Sequence, residues 1–192
     1  FFRPADAPTQ RPADRFPTAL AFVERLAGPA VSPPAHQSVA VLPFANLSAD
    51  PENAYFADGI TEDVIAQLSK IRALKVISNR SAMAFRNREQ SLREIGARLE
   101  VATLLEGSVR RAGQSLRITA QLIDAAADTH LWAEKFTGTI EDVFDMQEKV
   151  SRAIVAALKL ELTPLEHQRM AERPIPNLYA YECYLKARRE SW

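Results

Sequence analysis

Hydrophobic positions along the chain fall into three successive regimes. Val39-Ala40-Val41-Leu42 is apolar without alternation, as expected of a strand buried on both faces in the middle of a parallel sheet. After Pro43 and a polar loop, Ile60, Val64, Leu68 and Ile71 recur at helical spacing and put one apolar stripe on a helix. Leu74–Ile77 reads as a second strand. Ser91-Leu92-Arg93-Glu94 then has the form of a capping box, opening a short helix with an inner stripe of Leu92, Ile95 and Leu99. From Val101 onward the period changes to two. Leu116, Ile118, Ala120 and Leu122 alternate with Ser115, Arg117, Thr119 and Gln121. Leu104–Arg111 pairs with this run through the turn Ala112-Gly113-Gln114, and His130–Thr137 forms a third strand of the meander. A long helix follows, with Thr139–Asp142 as a second cap and Ile140, Val143, Phe144, Val150, Ile154, Leu158 and Leu162 down one side. The pattern predicts an α/β fold: a mixed sheet of about five strands in the order β-α-β-α-β-β-β-α, with helices packed on the sheet and further helices flanking it.

The flanks are less regular. Residues 1–16 are rich in proline, alanine and charge, and Phe16–Leu26 turns helical before Gly28 and Pro29 stop it. The expected division is a first segment over 1–27, a proline-stiffened linker over 28–37 and the α/β domain over 38–163. A second linker over 164–176, marked by Pro164, Pro174 and Pro176, leads to a terminal helix over 177–192. Tyr181, Tyr184, Leu185 and Arg188 are spaced to form one contacting face on that helix. A lone helix of this length is marginal in water, so it needs a neighbour; residues beyond Trp192 are one source of it.

Charge and chemistry narrow the function classes. The chain has 24 acidic and 24 basic residues, so no chain-wide field favours nucleic acid or an anionic membrane. Cys183 is the only cysteine, which excludes an internal disulfide. No apolar run reaches the roughly 20 residues of a membrane helix, and no membrane insertion is expected. The start at Phe1 is that expected of a piece of a longer polypeptide. His36, His130 and His167 are far apart and without ligand spacing, so no metal is expected. The loop after the first strand lacks phosphate-cradling glycines and a nucleophile elbow; no cofactor is expected.

Four residues near the end of the first strand mark a candidate ligand or partner cleft: Asn46, Ser48, Asp58 and Thr61. Ligands of open α/β sheets bind outside the carboxyl ends of strands. The same residue types also shape turns and cap helices, with Asp58 or Thr61 as the cap and Gly59 easing the turn. Glu106, beside Gly107 in an apolar strand, is either a perturbed acid or a carboxylate that faces solvent on an edge strand or pairs with a nearby arginine; Gly107 marks a bulge or a close backbone approach. Arg110, Arg111 and Arg117 read as a charged hairpin that discourages sheet association. Tyr181, Tyr184, Leu185 and Arg188 form the candidate partner helix face.

Ordered blocks carry a resemblance: SVAVLPFANLS at Ser38–Ser48, YFADGITEDVIAQLS at Tyr55–Ser69, LLEGSVRRAG at Leu104–Gly113, LRITAQLIDA at Leu116–Ala125, HLWAEKF at His130–Phe136 and EDVFDMQEKV at Glu141–Val150. Together they resemble the TolB-amino-terminal-like domain of bacterial signalling proteins. RPADRFPTALAFVERL at Arg11–Leu26 is similar to the tail of a Ser/Thr protein kinase domain, in which an arginine like Arg15 anchors the last helix. YAYECYLKARRESW at Tyr179–Trp192 resembles the opening helix of a tetratricopeptide array. The resemblance implies a non-catalytic interaction or sensory module that couples a kinase domain to a repeat array and takes protein partners. Alternatives are a small-ligand receptor, a self-associating module, an accessory domain of a nucleotide-cyclase-type protein, and an enzyme acting on phosphate esters through Asp58 or Glu106. The cytoplasm is the expected compartment, with the periplasm as the alternative.

Overall fold

The computed structural model describes residues 37–87, 89–172 and 177–190. The element order is β1 (Gln37–Val41), β2 (Ala45–Asn46), α1 (Ala54–Leu68), β3 (Leu74–Val76), α2 (Asn79–Met83), α3 (Leu92–Leu99), β4 (Thr103–Ala112), β5 (Ser115–Asp124), β6 (Thr129–Thr139), α4 (Val143–Ala157), α5 (Pro164–Ala171) and α6 (Leu178–Glu190). The sheet runs β3-β1-β4-β5-β6, with the short β2 also on β4. β1 pairs in parallel with β3 and β4, and β4-β5-β6 is an antiparallel meander. The expected mixed sheet is therefore present, with six strands among the described residues. The expected kinase-tail helix and first linker fall on residues outside the described ones, Gln37 apart. Residues 164–171, within the stretch read as a second linker, form α5: Thr163 and Glu166 close a capping box around Pro164 at the first helical turn.

β1 is apolar from Val39 to Val41 because both its faces are covered there. Val39 and Val41 join the main core with residues of α1, α4 and α6, whereas Ala40 and Leu42 join a smaller cluster with Phe85 and Ile95 on the opposite side. Pro43 interrupts the pairing with β4, since proline has no N–H to donate. Leu42 N–H still reaches the Leu105 carbonyl, and Leu47 N–H reaches that of Val109, both at 2.8 Å. Between them the Phe44 N–H donates instead to Thr61 Oγ1 at 3.0 Å, so no buried donor is orphaned. The Phe44 ring lies on Gly107, where an added Cβ would stand 2.6 Å from ring carbons. Gly107 thus marks the close approach that its type predicted.

β4 is an interior strand, not an edge, which corrects the edge placement of Glu106; Glu106 stands directly across from Gln121 of β5. Among the described residues the edges are β3 and β6.

Candidate functional site

α1 begins at Ala54, earlier than its apolar stripe predicts, so Asp58, Gly59 and Thr61 lie inside the helix and cap nothing. Thr61 is fully buried; its hydroxyl donates to the Ala57 carbonyl at 2.9 Å while accepting from Phe44. It completes backbone hydrogen bonding and lines no cleft. Asn46 and Ser48 build a turn: Ser48 N–H donates to Asn46 Oδ1 at 3.0 Å, and Ser48 Oγ accepts from Arg111 N–H at 2.9 Å, tying the turn to β4. The four residues expected to form one cleft are therefore separated. Of the four, Asp58 lines a cavity.

That cavity, of about 240 Å³, lies between α1, α2 and α6. Asp58 and Glu62 enter it from α1, Asn79 and Arg86 from α2 and the turn after it, and Leu185 and Arg188 from α6. Residues from both expected sites, the strand-end cleft and the terminal helix face, meet here. Their contact depends on Gly59. A Cβ on Gly59 would stand 2.5 Å from Leu185 Cδ2, so only glycine lets the Leu185 side chain seat at this depth. Leu185 is buried, as is Tyr181 one turn earlier, while Tyr184 is 42% exposed. The terminal helix finds a neighbour in α1 and α4: Tyr181 stacks edge-on with Phe56 and Phe144 at centroid distances of 6.3 and 5.1 Å.

The charges in the cavity pair off. Asp58 meets Arg86 at 2.8 Å, and Glu62 meets Arg188. Asn79 Nδ2 donates to Glu62 at 2.7 Å, but Asn79 Oδ1 is buried without a partner. Burial pushes the Glu62 carboxyl above its usual value; Arg188 pulls it down, and Asp63 and Asp58 add to the rise. On the next turn of contact, Asp63 accepts from the Tyr181 hydroxyl, and from Gln147 Nε2 at 2.8 Å. Burial raises the Asp63 carboxyl despite these two hydrogen bonds, and burial with the Asp63 charge holds the Tyr181 phenol well above 10.0.

Arg111 departs from its expected solvated role. It forms an ion pair with Glu182 of α6 at 2.6 Å and lies over the Phe56 ring at 5.5 Å. Arg110 and Arg117 remain exposed, directly opposite one another across β4 and β5. Glu106 shares the side of Leu104, on the face of the sheet away from α1, so the sheet separates it from Asp58. Among the described residues no three His, Cys, Asp or Glu side chains are grouped to hold a metal. Glu62, Asp63, Asn79 and Arg86 went unread in the sequence. The adjacent carboxylates Glu62 and Asp63 beside the apolar stripe were the available signal, because one of two neighbouring helical positions must turn toward whatever packs there.

Residues 35–154 match the family described as HilA/YgeH-like transcriptional regulator, second domain. The chain belongs to this family. It is also 46% identical over 155 residues to the Rhizobium meliloti (strain 1021) protein named "Putative adenylate cyclase 3", a match that covers 81% of this chain and 26% of that protein. The chain therefore spans about a quarter of the curated relative's length. Similar solved structures include TolB from Acinetobacter baumannii, at 20% identity and a TM-score of 0.48, over 63% of this chain and 28% of that one. Lipoprotein GNA1162 from Neisseria meningitidis is similar at 15% identity and a TM-score of 0.46, over 64% and 97%. PelC from Paraburkholderia phytofirmans, described as a dodecamer, is similar at 14% identity and a TM-score of 0.46, over 66% and 89%. No described helix is long and apolar enough to cross a membrane.

Proposed function

We propose that this chain is a non-catalytic interaction and sensory module of a bacterial signalling protein, coupling an output domain to a tetratricopeptide array that begins with α6. One observation carries the reading: α6 docks on α1 so that Asp58, Leu185 and Arg188 share a cavity. A partner or ligand that binds the cavity more tightly in one position of α6 than in another would shift how α6 sits, and with it whatever follows α6. The paired charges lining the cavity suit recognition; none is arranged as a nucleophile with its base.

Two outputs have support. The relative's name supports a nucleotide cyclase. The similarity of Arg11–Leu26 to a kinase tail supports a Ser/Thr protein kinase, with the second-domain description of the family favouring a place behind an output domain in either case. Cytoplasmic placement follows from that reading, and a periplasmic one is the alternative. The test uses the full-length parent: Leu185→Asp, which displaces α6, is expected to change cyclase or kinase output without abolishing it. Output identical to the parent's, with α6 shown to be displaced by increased amide exchange, would overturn the coupling.

A second reading, a small-ligand receptor, is favoured by the orphaned Asn79 Oδ1 in the cavity wall, a group that a ligand N–H would satisfy.

A further inference from the structure

A second cavity, of about 190 Å³, lies between α1, α4 and α6, with Met170 of α5 at one side. Asp63 lines it, and both hydrogen bonds that Asp63 receives, from Tyr181 and Gln147, fall on Oδ2. Among the described residues no hydrogen bond reaches Oδ1. Gln67 also lines the cavity, and its Oε1 is buried without any partner. Glu148 and Glu172 add two further carboxylates at the margin. The remaining walls are Phe144, Met170, Tyr181 and Tyr184. Among the described residues Lys70 is a cation on its wall, with its ammonium drawn to the Arg169 carbonyl at the end of α5, and the charge of Arg188 acts on Asp63. Glu148 pairs with Arg152 at 2.8 Å, which leaves Asp63 and Glu172 as the carboxylates that face the cavity.

A buried carboxylate and a buried, unpaired carbonyl both lower their energy when a cationic donor arrives. Aromatic faces add attraction for the same charge. A hard divalent ion is a poor match, because it needs six or more oxygens and the walls are rings and a thioether. A guanidinium is held most strongly by a bidentate carboxylate, and Asp63 has one oxygen already committed. An ammonium is a point charge with three rotatable donors and an apolar stem, and it suits separated acceptors within an apolar wall. At ~30 Å³ per water-sized atom the cavity holds about six atoms, which accommodates a butylammonium chain. We propose that this cavity binds a primary alkylammonium group, taken from a free amine or from the lysine side chain of a partner. This site does not depend on the function proposed for the cavity beside α2.

The test is an NMR titration of the 192-residue chain, following the side-chain amides of Gln67 and Gln147. The probes are n-butylammonium chloride and N-acetyl-lysine-N-methylamide, against sodium chloride at equal ionic strength and n-butanol. Saturable shifts with the amines and none with the salt or the alcohol are expected. Asp63→Asn should weaken the response about tenfold or more, the scale of a lost charge-assisted hydrogen bond. Gln67→Leu removes the orphaned carbonyl without opening a void; it should fold at least as well as the parent and also weaken the response, read on Gln147. Binding of both amines identifies a lysine as a competent ligand, and binding of butylammonium alone identifies a free amine; each supports the site. No saturation with either amine, or a response that survives in both variants, overturns it.

Discussion

At the residue scale the most consequential group is Asp63. Its carboxyl is held above 3.8, first because burial penalises the charge. In the window just above 3.8 the native state therefore keeps a proton that the unfolded chain releases. Stability falls as pH rises through that window, and the full penalty is present at neutral pH. Asparagine can still accept from Tyr181 and carries no charge. Asp63→Asn is expected to be at least as stable as the parent at pH 7, with an advantage that grows from about pH 4 upward and is measured by chemical denaturation across pH. An advantage that shrinks over that range would contradict the assignment. Glu166 has the opposite sign. Backbone N–H donors of Arg72 and Thr163, with the Thr163 hydroxyl, hold its carboxyl below 4.5. Its contribution is present above 4.5 and is lost as pH falls through the lowered value. Glu166→Gln should flatten the acid limb of the same profile. Thr61 is a third case, in which sequence reading pointed to a site and the structure assigns backbone satisfaction. Thr61→Val leaves the Phe44 N–H buried and unpaired, so it should cost about 1–3 kcal/mol in denaturant unfolding.

At the element scale the fold turns on how α6 attaches to α1. Its apolar contacts are few, Tyr181 and Leu185 with partly buried Leu178, and the rest of the interface is polar: Arg188 with Glu62, Glu182 with Arg111, and Tyr181 with Asp63 and Gln147. Gly59 is the position that permits it. Placing a side chain there sets two effects against each other. Alanine would favour the helix by about 0.5–1 kcal/mol, while its Cβ would press on Leu185 at 2.5 Å. A larger residue leaves only the clash. Gly59→Leu is expected to detach α6 while the sheet remains folded, seen as amide exchange rising in 178–190 but not in β4 and β5. Protection unchanged in α6 would mean that the helix does not depend on this contact. The face of α6 was readable in the sequence from the spacing of Tyr181, Tyr184, Leu185 and Arg188. Its partner was not, because nothing in a helical stripe says which other stripe it meets, and the glycine that admits it looked like a turn residue.

At the scale of the whole molecule, periodicity carried the sheet. The unbroken apolar run of β1 and the alternation of β5 each depend only on which faces are covered, a property written locally in the chain. What periodicity could not convey was strand order. β4 lies between β1 and β5 because a parallel crossover brings it there, so Glu106 and Arg111 moved from an imagined edge to the interior of the sheet. Helices cover the second face of the sheet at its β3-β1-β4 end, where Phe85 and Ile95 pack. Toward β6 that face carries Arg110, Arg117 and Lys135, all exposed. β6 itself is an 11-residue edge strand, long enough to template pairing with a second copy. Its protection is charge: Glu134 and Lys135 are adjacent, exposed and near the middle of the strand, so a copy laid alongside with 134 against 134, or 135 against 135, would bring like charges together. The chain should accordingly sediment as a monomer. Replacing the pair, Glu134→Val with Lys135→Ile, removes that barrier on both faces of the strand and should produce concentration-dependent dimers or larger species in sedimentation velocity. If the parent chain already associates and the double variant does not change it, the contact lies elsewhere and β6 is not what keeps copies apart.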